Sequence, residues 1–108
     1  TFRQRWIPFA IDGASMQPAL ESGEFVIVDT REERVSPGDI VVVRRPDRTG
    51  LEVVKRVAAI ESDGSLYLLG DHAAQSTDSR HFGPVPRETM IGVVRWRYWP
   101  PWRLRRYP

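Results

Sequence analysis

Nine prolines and eight glycines punctuate this 108-residue chain and cut its apolar residues into short runs. Proline lacks a backbone donor and blocks helix interiors, whereas short β-branched runs bounded by Gly and Pro suit strands. Strands are therefore expected near Trp6–Ile11, Phe25–Asp29, Asp39–Arg45, Leu51–Ile60, Leu66–Leu69 and Met90–Trp99. Pro37-Gly38 and Asp63-Gly64 mark turns, the second a hairpin. Arg31–Ser36 and Arg45–Gly50 read as polar loops, and one short helix is expected to start near Ser15 or Pro18. The pattern predicts an all-β fold of antiparallel sheets with at most one short helix. With no internal repeat or low-complexity linker, residues 1–108 read as a single domain with room for one core.

Bulk properties exclude little. With no cysteine, neither a disulfide framework nor a thiolate metal site can form. No apolar stretch approaches the roughly 20 residues that span a bilayer. The net charge of +2 is uneven: residues 95–108 carry Arg95, Arg97, Arg103, Arg105 and Arg106 without an acid, leaving −3 on the remainder. This basic tail interleaves arginine with Trp96, Tyr98, Trp99, Trp102 and Tyr107. Such a mixture suits a membrane interface or stacking on nucleic acid. Its plainest reading is a last strand followed by a tail that packs its tryptophans on the body, and no nucleic-acid partner is expected.

Among sixteen basic side chains, fifteen are arginine and one, Lys55, is lysine. Coding bias alone would scatter a lone lysine onto a loop. Lys55 instead lies in the strand-like run Leu51–Ile60, whose alternation places Val53, Lys55, Val57 and Ala59 on one face. Burial there lowers a lysine's pKa, which an arginine in its place would not permit. A neutral amine is a general base. To work near neutrality its pKa must drop by about two to three pH units from about 10.4, roughly 3–4 kcal/mol of differential desolvation.

A serine in a Gly/Pro-containing loop is ordinarily a turn former. Ser15, in Gly13-Ala14-Ser15-Met16-Gln17-Pro18-Ala19-Leu20, gains another meaning beside Lys55, since serine with a neutral lysine makes a nucleophile–base pair. His72 and His81 invite a Ser-His-Asp triad, and with Asp71 and Asp78 a metal site, but no spacing fixes such a ligand geometry and no metal or cofactor is expected.

Ser15-Met16-Gln17-Pro18-Ala19-Leu20, then Lys55-Arg56-Val57, then Gly70-Asp71 with Ser76-Thr77-Asp78-Ser79-Arg80 and Gly83-Pro84-Val85-Pro86 occur in that order. Here the chain resembles the type I signal peptidase family of Ser/Lys-dyad serine peptidases, from about Ile11 to Gly92. The resemblance implies a coiled antiparallel β-fold, a partial barrel of the signal peptidase and LexA-like type. It implies Ser15 as nucleophile, Lys55 as base, Ser76 bonded to the Lys55 amine, and Asp78 paired with Arg80 to brace that loop. Asp78 and Arg80, two apart, would share one side of an extended segment. The Ser15 N–H is the expected oxyanion donor. Some family members add a hydroxyl two residues before the nucleophile, where this chain has Gly13. Met16 and Val54 are candidates to line a shallow pocket for small residues before the cut, and His72 stands where relatives often carry Asn, which implies a role in shaping the loop.

The expected function is removal of an N-terminal leader from a precursor protein. The short spacer between the base and Gly-Asp segments looks most like small bacterial maturation peptidases, such as those processing nickel-type superoxide dismutase, and also resembles mitochondrial inner-membrane peptidases. The chain starts at Thr1 rather than Met, so an N-terminal anchor is open. The expected location is cytoplasmic for a maturation peptidase, or membrane-anchored with the domain outside the cytoplasm if an anchor precedes Thr1. Contact with a membrane surface goes with the tail, and oligomeric state stays open. Two rivals remain: a LexA-like self-cleaving regulatory domain, and a non-catalytic binding module on the same fold.

Overall fold

In the computed structural model, which describes residues 4–107, seven strands form one antiparallel sheet. They are β1 (Trp6–Ala10), β2 (Phe25–Asp29), β3 (Ile40–Arg44), β4 (Glu52–Ile60), β5 (Leu66–Leu69), β6 (Met90–Trp99) and β7 (Arg105–Arg106). The hydrogen-bonded order is β1-β2-β6-β3-β4-β5, with β7 added to β6. The fold is all-β as expected, and the six anticipated strands form within a residue of their predicted bounds. The Asp63-Gly64 turn closes the β4–β5 hairpin: Glu61 N–H donates to Ser65 O at 2.8 Å, and Gly64 takes φ of 90°, a conformation glycine adopts without a Cβ clash.

β3 shows why Ile40-Val41-Val42-Val43 is uninterrupted by polar residues. Ile40 and Val42 enter one apolar cluster with Ile11, Met16, Leu20, Val26, Val28, Val54 and Val94. Val41 and Val43 enter a second with Val57, Leu66, Leu68, Val85 and Val93. A strand buried on both faces has no solvent side to mark with polar residues.

Four expectations are corrected. No helix starts near Ser15 or Pro18. Pro18 has no N–H to extend a ladder, and the segment closes as turns through Gln17 N–H to Ala14 O and Leu20 N–H to Met16 O. The α-helix is instead α1 (Ser79–Phe82), where an extended segment was expected. On β4, Val53 and Val57 do share a cluster on the Lys55 side, but the β4–β5 register shifts between Val57 and Ala59, and Ala59 is exposed. One inserted residue reverses strand alternation.

The tail supplies the fourth correction. Its tryptophans point outward: Trp96, Trp99 and Trp102 are 39%, 51% and 82% exposed. Arg97 and Tyr107 are the buried residues, and residues 105–106 return as β7 to pair with Trp96 and Arg97. A tail that pairs backbone to backbone can bury a bonded guanidinium and leave its indoles outside.

Candidate active site

Ser15 and Lys55 line one cleft, the first from the turn after β1 and the second from β4. Ser15 lies half-buried in the turn between β1 and β2, flanked by Ile11 before it and Met16 after it, which are 6% and 1% exposed. Lys55 projects from mid-β4 at 3% exposure. Both line a cleft of about 180 Å³ whose other walls include Gly13, Met16 and Val54, together with Phe9 and Ala10 of β1 and Leu51, Glu52 and Val53. The pocket candidates Gly13, Met16 and Val54 are thus brought together around the serine and the lysine.

Burial pushes the Lys55 pKa down, and Arg45 and Arg80 add to that push, while the Asp78 charge opposes it. The net direction is below the ordinary lysine value, toward a neutral amine. Lys55 Nζ lies 3.1 Å from Ser76 Oγ, and Ser76 Oγ donates to Asp78 Oδ2 at 2.8 Å. Asp78 is fully buried. It accepts further bonds from Gly70 N–H at 2.9 Å, from Arg80 Nε and Nη2 at 2.9 Å each, and from Arg80 N–H at 3.2 Å. Burial alone would raise its pKa. The bonds from Arg80, Gly70 and Ser76 outweigh burial and hold the carboxyl well below the usual carboxylate range.

The Asp78–Arg80 pair forms, but by a different geometry from the one the two-residue spacing suggested. Asp78 is the N-cap of α1, and His81 Nδ1 accepts from the Asp78 N–H at 3.4 Å to complete a capping box. His81 therefore shapes this corner. His72 contributes its backbone: its N–H donates to Ser15 O at 2.8 Å. Gly13 takes φ of 86°, and its N–H meets Ser22 Oγ at 3.4 Å.

Two contributors were not assigned roles from the sequence. Gly70 sits where a Cβ would lie 2.2 Å from Ser76 Oγ and 2.7 Å from Ser15 O, so only glycine lets the serine turn and the Ser76 loop meet. Arg56 pairs with the Asp71 carboxylate through Nε at 2.9 Å and Nη2 at 2.8 Å, and Nη1 donates to Gly38 O. The residue after Lys55 thereby ties β4 to the Gly70-Asp71 corner. The only signal in the sequence for Arg56 and Gly70 was their place within the Lys55-Arg56-Val57 and Gly70-Asp71 motifs.

A cleft lined by both a serine and a buried lysine, with a hydroxyl and a carboxylate behind the amine, brings together side chains that a hydrolase can use. The family model for signal peptidase, peptidase S26, matches residues 3–64 and 62–99, and the chain belongs to that family of peptidases. It is 34% identical over 113 residues to the mitochondrial ATP-independent inner membrane protease subunit 1b of Arabidopsis thaliana, covering 82% of this chain and 67% of that protein. It is 36% identical over 110 residues to the mitochondrial inner membrane protease subunit 1 of Schizosaccharomyces pombe, covering 82% and 70%. Against the mitochondrial inner membrane protease subunit 2 of Danio rerio it is 35% identical over 120 residues, covering 89% and 66%. The chain spans about two thirds of the length of these relatives.

Proposed function

We propose that this chain is a serine endopeptidase in which Ser15 is the nucleophile and Lys55 the general base, and that it removes an N-terminal leader from a precursor protein. The observation that carries the reading is a lysine amine at 3% exposure, sharing a cleft with Ser15 and bonded to Ser76. Ser15 Oγ attacks the scissile carbonyl while neutral Lys55 takes the hydroxyl proton. The lysine ammonium gives that proton to the departing amine, leaving an acyl-serine. Lys55 then takes a proton from water as the water attacks the ester, and returns it to Ser15. The Ser15 N–H serves as a donor to the tetrahedral oxyanion.

The cleft suits an extended substrate. β1 pairs with β2 alone, and residues 52–55 of β4 pair only with β3, so both cleft-lining segments have an outer backbone edge among the described residues. A peptide laid between them gains strand-type bonds, with specificity left to shallow pockets beside Met16 and Val54. Small residues before the cut fit such walls. The precursor of a nickel-type superoxide dismutase is one candidate substrate, supported by the short β4–β5 hairpin between the base and the Gly70-Asp71 corner.

The test is a pH–rate profile of wild type beside Lys55→Arg on a leader peptide. Arginine keeps the charge and much of the length but cannot accept the serine proton. Lys55→Arg is expected to be as inactive as Lys55→Ala from about pH 6 to 10. Substantial turnover by the arginine variant would sink the neutral-amine mechanism. The same preparations separate the rivals: a LexA-like domain shortens its own chain on long incubation, and a non-catalytic module leaves Ser15 unmodified by an acylating inhibitor.

The exposed tryptophans support contact with an anionic membrane surface. Register places Ala10, Phe25 and Trp99 side by side, and Pro8, Ile27, Trp96 and Arg106 beside them, on the outer face of the sheet. The Arg5 and Arg106 guanidiniums lie over Trp6 and Trp96 at 4.6 and 5.9 Å. Indoles bordered by arginines match the lipid–water boundary and its negative charge. Cosedimentation with vesicles containing phosphatidylglycerol, lost in Trp99→Ala/Trp102→Ala and absent with pure phosphatidylcholine, is the expected result. No binding to the phosphatidylglycerol vesicles, or equal binding to both vesicle types, would remove this contact from the reading.

A further inference from the structure

The turn that carries Ser15 is held by two arginines that play no part in the proton transfers. Residues 11–24 leave β1 and return to β2, closed at the base by Ile11 N–H to Glu24 O at 2.8 Å and Gly23 N–H to Ile11 O at 2.9 Å. At the Ser15 end, the His72 N–H holds Ser15 O. At the other end, Arg97 of β6 donates through Nη1 to Ala19 O at 2.6 Å and through Nε to Arg103 O at 2.7 Å. Between these two points the 14–20 backbone is a stack of turns closed by its own bonds, so fixing both ends fixes where the Ser15 side chain sits.

We propose that Arg97, backed by Arg103, is a positioning residue for Ser15, clamping the nucleophile turn to the C-terminal tail. This inference rests on the reading of Ser15 as nucleophile. Arg97 is 6% exposed and Glu24 is 4% exposed, and their ionic groups stand 3.7 Å apart. Glu24 Oε1 also accepts the Glu21 N–H at 2.9 Å, and Glu24 Oε2 lies 3.1 Å from Arg103 Nη1. Arg103 pairs with Glu21 as well. Two arginines and two glutamates thus knit both sides of the turn's base to the tail. Burying charge is a poor way to gain stability, because desolvation offsets most of the attraction and apolar packing would serve as well. What it supplies here is geometric: a planar fork that bonds backbone carbonyls of two separate segments at once. Attack on a carbonyl demands that kind of placement, since a displacement of about 1 Å can cost about 100-fold in rate.

The test compares wild type with Arg97→Gln, Arg97→Lys and Arg103→Ala, with Ser15→Ala as reference. Measured are kcat and KM on a leader peptide, the rate of Ser15 acylation by a fluorophosphonate probe, and Tm. Arg97→Gln is expected to lower kcat and the acylation rate together by about 10- to 100-fold, with KM within about threefold of wild type. Arg97→Lys, which keeps the charge beside Glu24 and a donor for Ala19 O, is expected to recover most of the loss. Arg103→Ala leaves the Arg97 bonds to Ala19 O and Arg103 O in place and removes the Arg103 ties to Glu21 and Glu24, so it reports on the backing of the clamp even if Arg97→Gln does not fold; its kcat is expected to drop by about 3- to 10-fold. Unchanged kcat in folded Arg97→Gln, or in Arg103→Ala where Arg97→Gln does not fold, overturns the clamp. So does a loss fully accounted for by the unfolded fraction at assay temperature. Full activity in Ser15→Ala overturns the dyad instead, whatever the arginine variants do.

Discussion

Ser76 donates its hydroxyl proton to Asp78 at 2.8 Å, and that bond sets the direction in which Lys55 is used. An ionised carboxylate can only accept, and Asp78 is held below the usual carboxylate range, so the Ser76 proton is committed. Ser76 Oγ then has only lone pairs to offer Lys55 Nζ at 3.1 Å. The amine must donate to Ser76, which leaves its own lone pair for a proton from elsewhere. In the proposed mechanism that proton comes from Ser15.

Ser76→Ala removes the acceptor that orients the amine but leaves the amine itself. Turnover is expected to fall by about 10- to 100-fold without vanishing. Steady-state kinetics on a leader peptide check this, and an unchanged rate would remove Ser76 from the machinery.

Asp78→Asn tests the electrostatics separately. The Asp78 charge is the one contribution that raises the Lys55 pKa, while Arg80 lowers it. Neutralising Asp78 removes the first and leaves Arg80 unpaired, so both changes act downward. The acidic limb of kcat/KM, which reports the base in the free enzyme, is expected to move to lower pH as the maximum falls. A limb displaced to higher pH would contradict the assignment of that limb to Lys55.

Gly70→Ala should disable the site by sterics alone. The added methyl lies 2.2 Å from Ser76 Oγ and 2.7 Å from Ser15 O, and the second of these is backbone that cannot rotate away. Such overpacking costs about 1–3 kcal/mol. A lower Tm together with a loss of about 100-fold in acylation is expected; retention of both would mean the two segments part easily.

Lys55 should be a stability defect at neutral pH. Its folded pKa is lowered, so the unfolded chain binds more protons between that value and the unfolded pKa of about 10.4. Stability of the wild type therefore rises with pH through this window and is lost as pH falls through it. Lys55→Met, which keeps the bulk and drops the charge, is expected to melt higher than wild type near pH 7, with the gap narrowing toward pH 10. Thermal melts across that range check the sign.

Much of the molecule is written locally in the sequence. Gly and Pro placement and runs such as Ile40-Val41-Val42-Val43 determined the strands, because alternation and turn chemistry act over a few residues. The burial of Lys55 followed from its strand face, and the grouping of Ser76, Asp78 and Arg80 from the resemblance. Tertiary structure decided what depends on one segment meeting another. The slip of alternation before Ala59 comes from pairing with β5. The carboxylate that caps α1 through the Arg80 N–H is also held by Gly70 and Ser76, from outside the helix. The outward tryptophans and inward Arg97 follow from the tail's return onto β6. The need for glycine at position 70 appears only when the Ser15 turn, distant in sequence, comes within 2.7 Å of where a side chain would begin. Local propensity carries no record of such a neighbour, since the space a residue has is set by everything else that packs around it.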